Sequence, residues 1–240
     1  MKNQISNSKQ LINDLRVLNS SISHEIKAPI RAIDGYARIF IEDYGEPIDK
    51  NGLVLIENIR NICSDTLILI NSLLDYTKFA ETEPIKEPVD LENLIRSVFQ
   101  ELVIGYSENN KVDLHLQEKI PSILSDRFLI KQVLTNIISN SLKFTRGKEQ
   151  GIITAGYTYE DNTHIFFIRD NGVGFDMEFS ENLFGMFQRM HSIDDFEGSG
   201  LGLAIVKKII HNLGGLVWIN GEVGKGACTY FTIPQRDILK

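Results

Sequence analysis

Ser23-His24-Glu25-Ile26-Lys27-Ala28-Pro29 sits inside a long helical pattern. Around it the apolar residues Ile22, Ile26, Ile33, Ala37, Phe40 and Tyr44 recur at helical steps, the spacing of a helix that buries one seam. His24 lies two residues beyond Ile22, about 200° further round such a helix. The imidazole therefore faces water, away from the seam. Glu25 follows it directly. Pro29 falls inside the helix, where the lost backbone hydrogen bond tends to kink it. Two readings fit this stretch: a histidine nucleophile carried on a rigid post beside a carboxylate, or a solvated histidine on an amphipathic helix.

Working outward, the helix extends from about Ile5 to Tyr44, with an early coiled-coil-like seam of Leu11, Leu15, Leu18 and Ile22. Gly45-Glu46-Pro47 breaks it. A second helix runs from about Asn51 to Lys78. It carries two stripes, one of Ile56, Ile59, Cys63, Thr66, Ile70 and Leu73, the other of Leu55, Ile62, Leu69 and Tyr76. Two long helices joined by a short turn form an antiparallel hairpin. A lone hairpin cannot cover faces this broad. A second copy closing a four-helix bundle would cover them; packing on the rest of the same chain is the alternative.

Residues 83–89 form a linker between a hairpin domain at 1–82 and a second domain at 90–240, because Glu81-Thr82-Glu83-Pro84-Ile85-Lys86-Glu87-Pro88 holds two prolines and one large apolar residue. Asp90 caps a helix to about Gly105, and Val112 to Gln117 alternates as a strand. Ser125-Asp126 caps another helix, apolar at Phe128, Leu129, Val133, Ile137, Ile138 and Leu142. Ile152–Tyr159 and Thr163–Arg169 read as a hairpin turning at Glu160-Asp161-Asn162. Leu201–Leu213 is a helix closed by Gly214-Gly215, followed by strands at Leu216–Asn220 and Ala227–Ile233. The fold expected is an all-α hairpin followed by an α+β two-layer sandwich with a mixed, largely antiparallel sheet.

Composition narrows the function. The net charge of -7 and the pI near 5.3 argue against nucleic acid as the main partner. The two cysteines, Cys63 and Cys228, show no metal spacing and no disulfide framework, as expected of a reducing, cytoplasmic setting. No apolar run is long enough to span a bilayer, and the first twenty residues are too polar for a signal peptide. The expected location is the cytoplasm, as the cytosolic part of a larger sensor where one exists.

Three stretches of the second domain carry chemistry. Asn136, Asn140 and Lys143 place two amides and an ammonium on one helical face. Asparagine is a modest helix former, so two in register need a reason; amide oxygens suit Mg²⁺ and the lysine suits phosphate. Asp170-Asn171-Gly172-Val173-Gly174 follows a strand. A carboxylate there can accept from an exocyclic amine such as that of adenine, and the glycines admit close backbone approach. Gly198-Ser199-Gly200-Leu201-Gly202-Leu203 runs into a helix whose first N–H groups can bind phosphate. Each alone also reads as ordinary structure: a solvated helix face, an Asp-Asn-Gly turn, a flexible loop. There is no P-loop and no Rossmann setting. Phe175 to Glu197, with Phe184, Met186, Phe187 and Met190, has little periodicity and the length of a lid; ordinary core is the alternative.

The order of these motifs resembles that of sensor histidine kinases over nearly the whole chain, with some likeness to the kinase modules of phytochrome-like proteins around Phe187-Gln188-Arg189-Met190-His191 and Glu197-Gly198. His24-Glu25 to Pro29 is similar to the phosphoacceptor box of that family, and Asn136, Asn140 and Lys143 to its N box. Asp170, Gly172 and Gly174 resemble the G1 box, Phe184 and Phe187 the F box, and Gly198, Gly200 and Gly202 the G2 box. The resemblance implies a homodimeric, ATP-dependent protein-histidine kinase with a GHKL-type ATP-binding domain. It implies an upstream sensor domain outside this chain and a response-regulator receiver domain as partner. On that basis His24 is the phosphoacceptor and Glu25 its base. ATP with Mg²⁺ lies against Asn136, Asn140, Lys143, Asp170, Gly172, Gly174, Arg189, Gly198, Ser199, Gly200, Leu201 and Gly202, with Asp170 on adenine and Asn140 on the metal. One position departs from the family. Many relatives carry Thr or Asn three residues after the acidic neighbour of the histidine; here Ala28 stands there, which predicts weak phosphatase activity.

Overall fold

The structure, a computed structural model, describes residues 25–45, 48–79, 84–104, 111–117, 119–188 and 199–239. The chain divides into two compact units, Met1–Lys78 and Phe79–Lys240.

In the first unit, helix α1 covers residues 25–44 and helix α2 covers Lys50–Phe79. A turn joins them, with the Ile48 N–H donating to the Gly45 carbonyl at 3.3 Å. Asp49 starts α2, its carboxylate accepting from the Gly52 N–H at 2.7 Å. The Arg60 guanidinium reaches Asp34 on α1 at 3.0 Å, twenty-six positions away in sequence. The residues turned away from solvent follow heptad steps: Ile30, Asp34, Ala37 and Ile41 on α1, and Ile56, Arg60, Cys63, Leu67 and Ile70 on α2. The contact between the two helices thus runs beside the apolar series expected for α1. Of the described members of that series only Ala37 is buried, while Ile26, Ile33, Phe40 and Tyr44 stand exposed in the single chain, as do Leu55, Ile59 and Ile62 on α2. Residues 5–24 of the expected first helix lie outside the described residues.

The second unit opens with a strand, β1 (Glu87–Val89), paired antiparallel with β3 (Ile123–Ser125). This corrects the reading of 83–89 as linker throughout. Val89 is fully buried, the Ile85 N–H donates to Asp126 Oδ2 at 3.0 Å, and Lys86 pairs with the buried Asp237 at 2.5 Å. Pro88 is compatible with this strand because a two-stranded sheet leaves every strand an edge.

The five-stranded sheet runs β2 (Val112–Leu116), β4 (Gly151–Glu160), β5 (Thr163–Asp170), β7 (Gly226–Ile233), β6 (Val217–Glu222). Only β2–β4 is parallel; the other three pairings are antiparallel. β4 and β5 turn at Asp161 and Asn162, both left-handed at φ 47° and 60°, as a two-residue hairpin demands. Helices α3 (Leu91–Val103), α4 (Arg127–Phe144) and α5 (Gly202–Asn212) supply the second layer. Asp90 caps α3 by accepting from Asn93 N–H, and Asp126 caps α4 by accepting from Leu129 N–H, each at 3.0 Å. The core between the layers holds Leu129, Val133, Ile137 and Ile138 from α4 and Ile205, Val206 and Ile209 from α5. From the sheet come Ile153, Ala155, Ile168 and the stacked pair Phe166–Phe231, whose ring centroids are 5.4 Å apart. Gly214, at φ 82°, ends α5 as expected, and Gly215 N–H returns to the Ile210 carbonyl at 2.9 Å.

Candidate functional site

The site builds up around the last residue of β5. Asp170 is 6% exposed, and its Oδ1 accepts from the N–H groups of Gly172 at 2.9 Å and Ala227 at 3.2 Å. Burial pushes the Asp170 carboxyl above its ordinary value; those two N–H groups and the Ser141 hydroxyl pull the other way. Both backbone donors converge on Oδ1, so Oδ2 keeps acceptor capacity for an amine.

The turn after Asp170 is held from two sides at Val173. Val173 N–H donates to the Phe144 carbonyl at the end of α4, at 3.1 Å, and its own carbonyl accepts from Gly224 N–H at 2.7 Å. Gly174 is left-handed, φ 63°, and any side chain there would collide with the Glu222 carbonyl. At Gly172 an added Cβ would sit 2.5 Å from the Phe144 carbonyl oxygen. Both glycines are thus required by close approach of backbone. Gly226, which the sequence reading did not single out, belongs with them. Its φ is 101°, and a side chain would strike the Asp170 carbonyl. The signal was present as Gly224-Lys225-Gly226, a tight turn between two strands.

Helix α4 lies alongside. The Asn136 amide donates to the Gln132 carbonyl at 2.9 Å, and a Cβ on Gly202 would sit 3.0 Å from Asn136 Oδ1. The first asparagine and the third glycine of the glycine-rich run are therefore neighbours, as α4 and α5 pack together. Asn140 is half-buried one turn further on. Lys143 Nζ sits 4.1 Å from the centroid of the Phe144 ring.

The glycine-rich run is described from Ser199. Ser199 Oγ accepts from Leu201 N–H at 3.3 Å, and Leu201 is wholly buried. Gly200, φ 70°, lies against the backbone of Phe187 and Gln188, where a Cβ would come within 2.9 Å. Leu201, at the cap of α5, offers no side-chain cap to the helix's first N–H groups. Of the lid segment, Phe184 is half-buried with Lys207 Nζ 5.9 Å from its ring centroid, and Phe187 is half-exposed, so neither is core. Phe175 is buried against Gly221, and the short 3-10 helix Met177–Asn182 lies beside β6, with Gly221 N–H reaching Met177 Sδ at 3.2 Å.

The structure thus assembles Asn136, Asn140, Lys143, Asp170, Gly172, Gly174, Ser199, Gly200, Leu201 and Gly202 within one unit. Glu25 and Ala28 are exposed on α1. His24, Arg189 and Gly198 lie outside the described residues.

Residues 125–237 match the family of histidine kinase-, DNA gyrase B- and HSP90-like ATPases. This part of the chain belongs to that family, and it contains every described site residue of the second unit. The rest of the similarity sharpens the class. Cyanobacterial phytochrome B of Nostoc sp. is 32% identical over 217 residues, 89% of this chain and 28% of the phytochrome. The methanogenesis regulatory histidine kinase FilI of Methanothrix harundinacea is 31% identical over 221 residues, 89% of this chain and 24% of FilI. A crystal structure of full-length ShkA in complex with AMPPNP aligns with a TM-score of 0.66 and 26% identity, over 93% of this chain and 46% of ShkA. The chain therefore carries a sensor-histidine-kinase catalytic region with a GHKL-type ATP-binding domain, and it spans about a quarter of the length of these two curated relatives. Among the described residues no helix is long and apolar enough to cross a membrane.

Proposed function

We propose that this chain phosphorylates itself on His24 from ATP and passes the phosphoryl group to an aspartate of a response-regulator receiver domain. The observation that carries the reading is the buried Asp170, which meets Ser141 of α4 and leads into a turn tied to Phe144 at the end of that helix, inside an ATPase-family domain. Similarity to a named histidine kinase covers 89% of the chain and so reaches into both units, which supports a phosphoacceptor outside that domain.

Asp170 Oδ2 accepts from the adenine amine, and Gly172 and Gly174 let the turn after it pack against the Phe144 and Glu222 carbonyls, which holds the carboxylate in place. Arg189, Gly198, Ser199, Gly200, Leu201 and Gly202 face the phosphates, with backbone N–H groups of the first turn of α5 as donors and the Arg189 guanidinium adding charge. Asn136 and Asn140 fit a hard cation through amide oxygen, with Asn140 the ligand to Mg²⁺, which would neutralise phosphate charge when bound. Lys143 adds its own charge to that task. The neutral imidazole of His24 attacks the γ-phosphorus in line. The N–P bond forms as the bond to the ADP oxygen breaks, and Glu25 orients the ring and takes its proton. The first unit, read as residues 1–82, is the dimerisation and phosphotransfer hairpin. Its exposed Ile26, Ile33, Phe40, Leu55, Ile59 and Ile62 are the faces that a second copy covers. Residues 84–240 form the ATP-binding domain.

Labelled ATP given to the purified chain tests the reading. Label on protein that survives alkali and is lost in acid, and that disappears in His24→Ala while ATP still binds, is the expected result. Stable label on His24→Ala defeats it. ATP hydrolysis with no label on protein favours a conformational ATPase instead.

A further inference from the structure

We infer that Asn171 is the positioning residue that sets Asp170 in register for the nucleobase. The inference deepens the proposed function, since it rests on Asp170 as the acceptor for the adenine amine.

The β4–β5 ladder ends at the pair Ile153↔Asp170. Beyond it the chain must leave the sheet and enter the glycine turn. Asn171 controls that departure with three hydrogen bonds to one short stretch. Its backbone N–H donates to the Ile152 carbonyl at 3.2 Å. Its Oδ1 accepts from the Ile152 N–H at 2.8 Å, and its Nδ2 donates to the Gln150 carbonyl at 3.0 Å. The carboxamide thus acts as one extra peptide group in the antiparallel ladder, donating and accepting where the main chain no longer does. No other side chain matches that length with both a donor and an acceptor; aspartate keeps the acceptor but sets a second oxygen against the Gln150 carbonyl.

The consequence is carried one residue back and one forward. Asp170 is held from the forward side by Gly172 N–H and across the sheet by Ala227 N–H. The first of these contacts depends on where the chain goes after Asn171. With the carboxamide removed, the single 3.2 Å backbone bond is what still ties the exit of β5 to β4; the turn beyond keeps its bonds to Phe144 and Gly224, but the carboxylate loses part of the fixed aim that recognition requires.

The test is calorimetric binding, in the full chain, of ATP and of the purine nucleoside triphosphate that lacks the 6-amino group. The difference between them isolates the contact with Asp170. The wild type should prefer ATP by about tenfold or more, the scale of one hydrogen bond to a charged group. In Asn171→Ala the preference should fall below about threefold while affinity for the amine-less nucleotide stays within about twofold. Asn171→Asp should fall between and keeps the measurement possible if the alanine variant does not fold. Val98→Ala, a core truncation in α3 and away from the site, serves as the stability control and should keep the preference. Equal losses for both nucleotides in Asn171→Ala, or an unchanged preference, overturn the inference. A wild type that shows no preference for the 6-amino group overturns the assignment of Asp170 itself, and that outcome is visible before any Asn171 variant is measured.

Discussion

The two units treat their apolar residues in opposite ways. In the second, α3, α4 and α5 bury their stripes on the sheet, and Leu129, Ile130, Val133 and Leu134 are entirely covered. In the first, Leu55 is 64% exposed and Ile62 65%, while the seam between the two helices contains a charged pair, Asp34–Arg60. The difference separates what a chain can complete alone from what it leaves for a second surface. The second unit has closed its core. The first has spent one stripe of each helix on its neighbour and holds another in reserve.

The strongest way to break this comparison is to charge the reserved stripe. Leu55→Asp with Ile62→Asp should turn a dimer into a monomer, weakening association by about a thousandfold or more if these residues are buried in both copies. Sedimentation checks it; an unaltered dimer would show that the stripe is not the interface. ATP binding by the second unit should not change.

A next test sits inside the closed core. Asp170→Asn should lower ATP affinity by about tenfold to a hundredfold, because an amide can turn its N–H₂ toward the adenine amine. The same variant should not lower the melting temperature of the nucleotide-free protein, since it removes a buried charge while Oδ1 still accepts from Gly172 and Ala227. The pH dependence has a definite sign. Burial raises the carboxyl pKa above 3.8, so the folded state binds the proton more tightly than the unfolded chain. This group's contribution to stability therefore falls as pH rises from 3.8 to the raised value, while ATP binding, which needs the ionised acceptor, improves over that range. Calorimetry and thermal melts across pH measure both.

Smaller in effect is the boundary. Residues 84–240 and 90–240 should both sediment as monomers. The shorter fragment should be less stable by about 3 kcal/mol, because it loses the fully buried Val89 and the Ile85 and Lys86 contacts. Equal denaturation midpoints would restore 83–89 to linker status.

These outcomes bear on how much the sequence revealed. The caps at Asp90 and Asp126, the Asp161-Asn162 turn and the Gly214 stop were legible because each is local chemistry with one good solution. The strand β1 was not. It has three residues, one of them proline, and its stability comes from Ile123–Ser125 and Asp237, far away in sequence. The contact between α1 and α2 was not legible, because Ile33 and Phe40 are more apolar than Asp34, yet it is Asp34 that meets the opposite helix through Arg60. In the site, the asparagines, Asp170 and the glycines stood out by residue type and spacing. Ala227 and Gly226 did not, because their part is played by backbone and is set by the fold.

The finest test concerns Ala28, exposed on α1 one helical turn after Glu25. Lacking donor and acceptor, it cannot hold an attacking water for the reverse reaction. The wild type should release phosphate from a phosphorylated regulator slowly, and Ala28→Thr should raise that rate by a few-fold to about tenfold. Free phosphate measured with ADP present, under conditions that exclude back-transfer, decides it; rapid release by the wild type would show that Ala28 is only a good helix former.

The meeting of β1, β3 and the C-terminal residues has a mechanical side. Ile123 bridges to Ile238, Leu239 N–H donates to the Ser122 carbonyl, and His164, near the start of β5, reaches Gln235. Asp170 terminates the same strand at its other end, and α4 spans the distance from Asp126 to Phe144. Within the second unit these pairings close one end, and Asp170 and Phe144 mark the other, about 27 Å away along the eighteen residues of α4. A pull on the chain at residue 84 therefore loads β1, β3 and the C-terminal pairings first, at the end away from Asp170.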